Sequence, residues 1–212
     1  MKIQKKLITF VVMFPMLLSM VPTLNAKAAN ISDISIISDT DVTEKQAAKW
    51  AKSKGATDTF VDLAELYFKY AEDCGDVNPA IAYVQAAKET NFGKFGGVID
   101  ESYKNPCGLK ISSGGDNYDP KAHQKFSTWD DGVKAHLDHL ALYAGAVGYP
   151  KSNTTDPRHF SKIKGKAVTV KALGGNWAPS KTYGDEVNKY YNELISTSDN
   201  KSKNMATSPI AK

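Results

Sequence analysis

The sequence predicts an α+β domain that is mainly helical and carries one small β lobe, and three observations lead there. Apolar residues recur at helical spacing over most of residues 43–197. Several of those runs open on an N-cap signal, and residues 108–127 lose the period in a mixture of Ser, Gly, Asp, Asn and Pro.

Thr43 and Gln46 have the spacing of a capping box, and Ala47, Ala48, Trp50 and Ala51 follow at helical intervals, which predicts a first helix. A second is predicted over residues 58–74, where Phe60, Leu63, Ala64, Tyr67, Phe68 and Ala71 form a wide apolar stripe. Asn78 before Pro79 reads as a cap and a first-turn proline. The third helix then runs through Ile81 and Val84 to about Phe92, ended by Gly93, Gly96 and Gly97. Residues 108–127, around Ile111, Tyr118 and Phe126, predict a hairpin or lobe. Thr128 with Asp131 starts a long helix carrying Val133, Leu137, Leu140, Ala141 and Ala144. Asp156-Pro157 is expected to start a short helix, and residues 169–173 another, closed by Gly174 and Gly175. A last helix from about Tyr183 holds Val187, Tyr190, Tyr191, Leu194 and Ile195.

Residues 1–28 read as a cleaved secretory signal: basic Lys2, Lys5 and Lys6, an apolar run over residues 7–21, then Ala26 and Ala28 in an A-x-A arrangement. Pro15 and Pro22 interrupt that run, which barely approaches the ~20 residues of a membrane span. Residues 29–43 read as a linker, 44–197 as one domain, and 198–212 as a polar flexible tail. The chain has 212 residues, 42% of them hydrophobic and 24% charged, which excludes collagen-like, disordered and multi-span membrane classes. Its 27 basic residues exceed its 23 acidic ones only through the signal segment, which holds four lysines and no acid. The remainder is formally neutral, so nucleic-acid binding and electrostatic membrane binding are not expected, and the protein is expected to act as a monomer.

Glu89 is the acid of most interest. It lies in the last turn of the third predicted helix, with Gln85, Ala86 and Ala82 one and two turns back, where the helix dipole and partial burial both favour a protonated carboxyl. A raised glutamate is what a glycosidic general acid requires. The same position also fits an exposed residue pairing with a lysine. Trp177, Tyr183, Trp129 and Tyr118 lie in loops or at helix starts, where rings can stack on sugars; for Trp50 and Trp129 core packing is the stronger reading.

His136 and His139 are three apart on one predicted helix, but no third ligand of metalloprotease pattern accompanies them, so neither a metal nor a cofactor is expected. Cys74 and Cys107 admit either a disulfide or two free buried thiols. Cys107 as a thiol nucleophile has no supporting local signature, and there is no G-x-S-x-G elbow, Walker loop or Rossmann glycine pattern.

Four segments carry a family resemblance. Residues 84–93, Val-Gln-Ala-Ala-Lys-Glu-Thr-Asn-Phe-Gly, resemble the Q-A-x-x-E-T-G/N-x-G helix end of the bacterial glucosaminidase domain, glycoside hydrolase family 73. Residues 105–110 resemble its N-x-F-G-I-K turn, residues 126–143 its F-x-x-W-x-x-G-v-x-x-H helix, and residues 177–184 its W-A-t-D-p-x-Y-a segment.

The resemblance implies a lysozyme-like fold over residues 44–197, with a helical body and a β lobe flanking a substrate groove. It implies a secreted endo-β-N-acetylglucosaminidase that hydrolyses β-1,4 bonds in peptidoglycan glycan strands, of the kind that serve as autolysins. Alternatives within the same site are an N-acetylmuramidase, a lytic transglycosylase or a non-catalytic wall-binding module. It implies Glu89 as catalytic acid, Tyr183 as active-site tyrosine and Trp177 as a residue lining the groove; Gln85, Asn105 and Tyr118 are further candidates for binding substrate beside Trp177. The family's second acid, in a T-x-E strand, has no counterpart in residues 112–125. Asp116 and Asp119 are the candidates for that role, with Asp100 and Glu101 further out; the substrate's own acetamido group is the alternative.

Overall fold

The computed structural model describes the backbone of residues 33–206 and the side chains of residues 33–197. The signal segment and the last six residues of the expected tail lie outside the described residues. Five α-helices form the body: α1 (Glu44–Ser53), α2 (Asp58–Tyr70), α3 (Pro79–Glu89), α4 (Trp129–Ala144) and α5 (Tyr183–Ala206). None of the described helices is long and apolar enough to cross a membrane.

The caps act as the sequence predicts. Thr43 and Gln46 close a reciprocal capping box on α1, with the Thr43 N–H donating to Gln46 Oε1 at 2.7 Å. Asn78 Oδ1 accepts from the Ala80 and Ile81 amides at 3.0 and 3.2 Å, and Pro79 occupies the first turn of α3. Thr128 caps α4 through the Asp131 amide, and Gly145 ends it in the left-handed region at φ 80°. The expected helix over residues 58–74 stops at Tyr70 and continues as turns into Gly75.

Helix α3 is buried at every position from Ala80 to Ala87, the pattern of a helix apolar all round, and α1, α2, α4 and α5 pack about it. Aromatic rings fill the seam: Phe60 stacks on Tyr83 at 4.9 Å, and Trp50 meets Phe92 at 5.4 Å and Tyr190 at 6.0 Å. At the C-terminal end of α3 the Thr90 hydroxyl donates to Ala86 O at 2.7 Å and accepts from the Gly93 amide at 3.0 Å. The helix is thus tied off one residue beyond Glu89.

Four expectations need correction. The β lobe is not a sheet: among the described residues its only pairing is an isolated antiparallel bridge between Lys110 and His123, flanked by 3₁₀ turns. Side chains replace the ladder there. Asn105 Nδ2 donates to both Leu109 O and Gln124 O, while Asp116 and Asp119 accept the Tyr118 and Lys121 amides and turn the chain back.

The described part of the linker, residues 33–43, is a packed strap. Ile36 is fully buried, its N–H donates to Val168 O at 3.1 Å, and its carbonyl accepts from Asn78 at 2.9 Å. Asp156-Pro157 begins a turn, not a helix, because the Asp156 carboxylate takes the Arg158 amide and two histidines. Helix α5 runs on to Ala206, into the segment expected to be loose. Cys74 and Cys107 are both free and buried, so of the two open readings the unbridged one holds.

Candidate active site

Glu89, the last residue of α3, opens onto a groove of about 400 Å³ together with Trp177, Cys107, His139 and Arg158. Two donors converge on one of its oxygens. Trp177 Nε1–H donates to Glu89 Oε1 at 3.2 Å, and the Tyr183 hydroxyl, from the first residue of α5, makes a short hydrogen bond to the same atom. Oε2 has no protein partner among the described residues.

Glu89 is exposed by surface area, but its open face is the groove wall, and Trp177 and Tyr183 crowd the carboxyl from behind. Loss of water raises its pKa above the usual glutamate value. The hydrogen bonds from Tyr183 and Trp177 and the nearby Lys88 charge oppose that rise without cancelling it. Any ligand that covers the groove removes more water and pushes in the same direction as burial.

Tyr183 is itself held by a buried chain of hydrogen bonds that ends deep in the body. Gln85 Nε2 donates to the Tyr183 oxygen at 2.9 Å, and Gln85 Oε1 lies 3.2 Å from His136 Nε2. An amide oxygen only accepts, so Nε2 carries the His136 hydrogen. Nδ1 is then the acceptor for the Tyr67 hydroxyl at 2.7 Å. Every donor in Tyr67, His136, Gln85 and Tyr183 points toward Glu89. The ring of His136 stays neutral: burial first, then the neighbouring His139, lower its pKa to about 3. Burial likewise raises Tyr67 and Tyr183 well above the ordinary phenol value, so both keep their protons.

Local sequence sets these positions. Gly184 lies so close to residues 170–171 that a Cβ there would meet Val170 O at 2.3 Å and Lys171 Cα at 2.5 Å; only glycine lets the first turn of α5 press Tyr183 against α3. The Lys88–Glu186 pair at 2.5 Å links the same two helices at the surface. Trp177 rests on α4, its ring 5.2 Å from His139, 5.5 Å from His136 and 5.8 Å from Tyr143.

The structure brings together Glu89, Tyr183 and Trp177, and it separates the other candidates. Gln85 and Asn105 are fully buried, so neither reaches a ligand in the groove: Gln85 serves Tyr183, and Asn105 holds the turn over residues 105–109. Tyr118 is 85% exposed and lies outside the groove lining. Asp116 and Asp119 are exposed turn residues that also lie outside it. Cys107 does line the groove, but burial, followed by the Glu89 and Asp156 charges, raises its thiol well above the ordinary value. A thiol nucleophile needs the opposite shift.

Residues 64–196 match the sequence family described as Glucosaminidase, mannosyl-glycoprotein endo-beta-N-acetylglucosaminidase. An uncharacterized protein of Borreliella burgdorferi is 36% identical over 119 residues, which cover 56% of this chain and 55% of that protein. The match thus spans about half the length of that relative. No solved structure matches the chain at a significant level.

Proposed function

The chain belongs to the glucosaminidase family, and from that premise we propose that it is a secreted or wall-associated glycoside hydrolase that cleaves β-1,4 bonds after N-acetylglucosamine in bacterial peptidoglycan. The observation that carries this reading is the asymmetry of the Glu89 carboxyl. Tyr183 and Trp177 fill the lone pairs of Oε1, so the proton of the acid form belongs on Oε2, the oxygen left free for a ligand in the groove.

Glu89 protonates the oxygen of the departing sugar as the glycosidic bond lengthens, and burial keeps that proton available toward neutral pH. Tyr183 and Trp177 then act as donors to the carboxylate that forms, so the same two bonds that fix the acid also stabilise its conjugate base. The half-buried indole of Trp177 offers an apolar face to a pyranose ring. Lys110 and Arg158 give the groove a cationic lining suited to the carboxylates of muramic acid and its peptide stems.

Purified sacculi, digested and then reduced with borohydride, test the proposal by mass spectrometry of the released fragments. Reduced glucosamine ends, absent with Glu89→Gln, are the expected result. Reduced muramic ends or anhydro ends would move the cut to the other linkage or the other chemistry. Binding to sacculi with no released ends at all would make the chain a wall-binding module and overturn the hydrolase reading.

A further inference from the structure

The loop after α4 places a second polar assembly in the same groove. The Asp156 side chain is fully buried; its Oδ2 accepts from His139 Nδ1 at 2.8 Å and from His159 Nδ1 at 3.0 Å, and its Oδ1 accepts the Arg158 amide at 2.8 Å. Burial would raise that carboxyl, but the two histidine bonds and the amide outweigh it and hold the pKa down at about 2, so Asp156 is an anion.

His159 is engaged at both nitrogens, because its Nε2 accepts the Lys151 amide at 3.0 Å. His139 is not. Its Nδ1 is committed to Asp156, which leaves Nε2 as the ring nitrogen available to a ligand, and no described residue bonds to it. Nor is Nε2 sealed in: among the described residues, the buried side-chain polar atom without a partner is Nε1 of Trp50. His139 lines the groove, and one indole separates it from Glu89. Trp177 Nε1 is 3.2 Å from Glu89 Oε1, while the Trp177 ring centre is 5.2 Å from that of His139.

We infer that His139 is the base of the hydrolysis, taking a proton from the attacking water through Nε2, with Asp156 as the positioning residue that fixes its tautomer. The inference rests on the hydrolase reading of Glu89 and supplies the partner that the lobe aspartates do not. The water gives one proton to Nε2 while its oxygen bonds to the anomeric carbon. The bond from that carbon to the departing oxygen breaks, and the Oε2 proton of Glu89 passes to that oxygen. The resulting imidazolium faces the Asp156 anion, and proton exchange with solvent restores both groups. Inverting enzymes set acid and base ~6.5–9.5 Å apart to admit the water between them, and Glu89 and His139 both line the one groove in which sugar and water would sit. The other titratable or charged groups around His139 are His136 and Tyr143 one turn away on α4, Arg158 on the loop, Cys107, Lys110 and His123 along the groove, and Glu89 beyond Trp177.

The first test uses the unaltered protein on soluble peptidoglycan fragments, with the anomeric configuration of the fresh product read by proton NMR. Inversion, an α end from a β bond, is expected; retention overturns the inference without touching the role of Glu89. His139→Ala should lower kcat about 10²–10⁴-fold with little change in KM, and added imidazole should restore part of the rate. A kcat within threefold of the unaltered protein, or a loss confined to KM, overturns it. Should His139→Ala fail to fold, the NMR result decides. Unaltered protein that releases no reducing ends sinks the hydrolase reading itself, a failure distinct from retention or from an indifferent His139→Ala.

Discussion

Tyr183→Phe deletes one oxygen and with it two hydrogen bonds: the short one donated to Glu89 Oε1 and the 2.9 Å bond accepted from Gln85 Nε2. The first favours the Glu89 carboxylate over the acid, so its loss raises the Glu89 pKa further and moves the basic limb of kcat/KM to higher pH. A hydrogen bond to a charged group contributes about 1.5–3 kcal/mol, and 1.36 kcal/mol corresponds to one pH unit. Because Glu89 opens onto the groove and water can replace part of the donor, the lower end applies, a shift of about one unit. The second bond affects stability, since the Gln85 amide hydrogen is left buried without an acceptor, at a cost of about 1–3 kcal/mol. The assay is the pH dependence of reducing-end release from soluble fragments, paired with urea unfolding. A basic limb that stays in place or moves to lower pH would refute the assignment of Tyr183 as a donor to the acid.

Gly184→Ala should destabilise the fold by about 1–3 kcal/mol in urea unfolding and lower kcat, because its Cβ would press on Val170 O and displace the helix start that carries Tyr183. His136 has a folded pKa near 3 against an ordinary value near 6.5, so the unfolded chain binds a proton that the folded one refuses. Its contribution is present above about pH 6.5 and lost as pH falls toward 3, and His136→Gln should flatten the acid side of a stability-versus-pH curve relative to the unaltered chain. Glu89 works in the opposite sense: its raised pKa removes stability as pH rises through the folded value, so Glu89→Gln should have the higher Tm at neutral pH and lose that advantage in acid. Asp116→Asn and Asp119→Asn each keep a turn acceptor and should retain sacculus turnover within a few-fold. A hundredfold loss in either would return the second catalytic role to the lobe.

Legibility in the sequence followed the range of the interactions. The capping box at Thr43 and Gln46, the Asn78-Pro79 start and the Thr128 cap are local signals, satisfied within three residues, and all three helices start where those signals place them. Glu89 stood out for the same reason, as an acid near a helix end, although the helix stops at Glu89 itself and not one turn beyond it. The relay behind it was not, because Gln85 meets Tyr183 and His136 across 98 and 51 residues of chain, and no local pattern encodes such a meeting. His136 and His139 stood out as a pair at metal-ligand spacing, yet the fold turns one inward to Gln85 and the other to Asp156. The strap over residues 33–43 has a polar composition that hides the strand-like period of Ile34 and Ile36. The lobe failed as a sheet because Asn105, Asp116 and Asp119 satisfy the backbone with side chains, an outcome that composition signals only as loop.

Protein labelled with ¹³C at the glutamate side-chain carboxyl, titrated by NMR beside Glu89→Gln to identify the resonance, measures the Glu89 pKa directly. A midpoint clearly above that of an ordinary glutamate is the predicted result. A midpoint at or below the ordinary value would mean that the two donors on Oε1 outweigh burial, and the protein would then have no acid at Glu89 with which to begin the reaction.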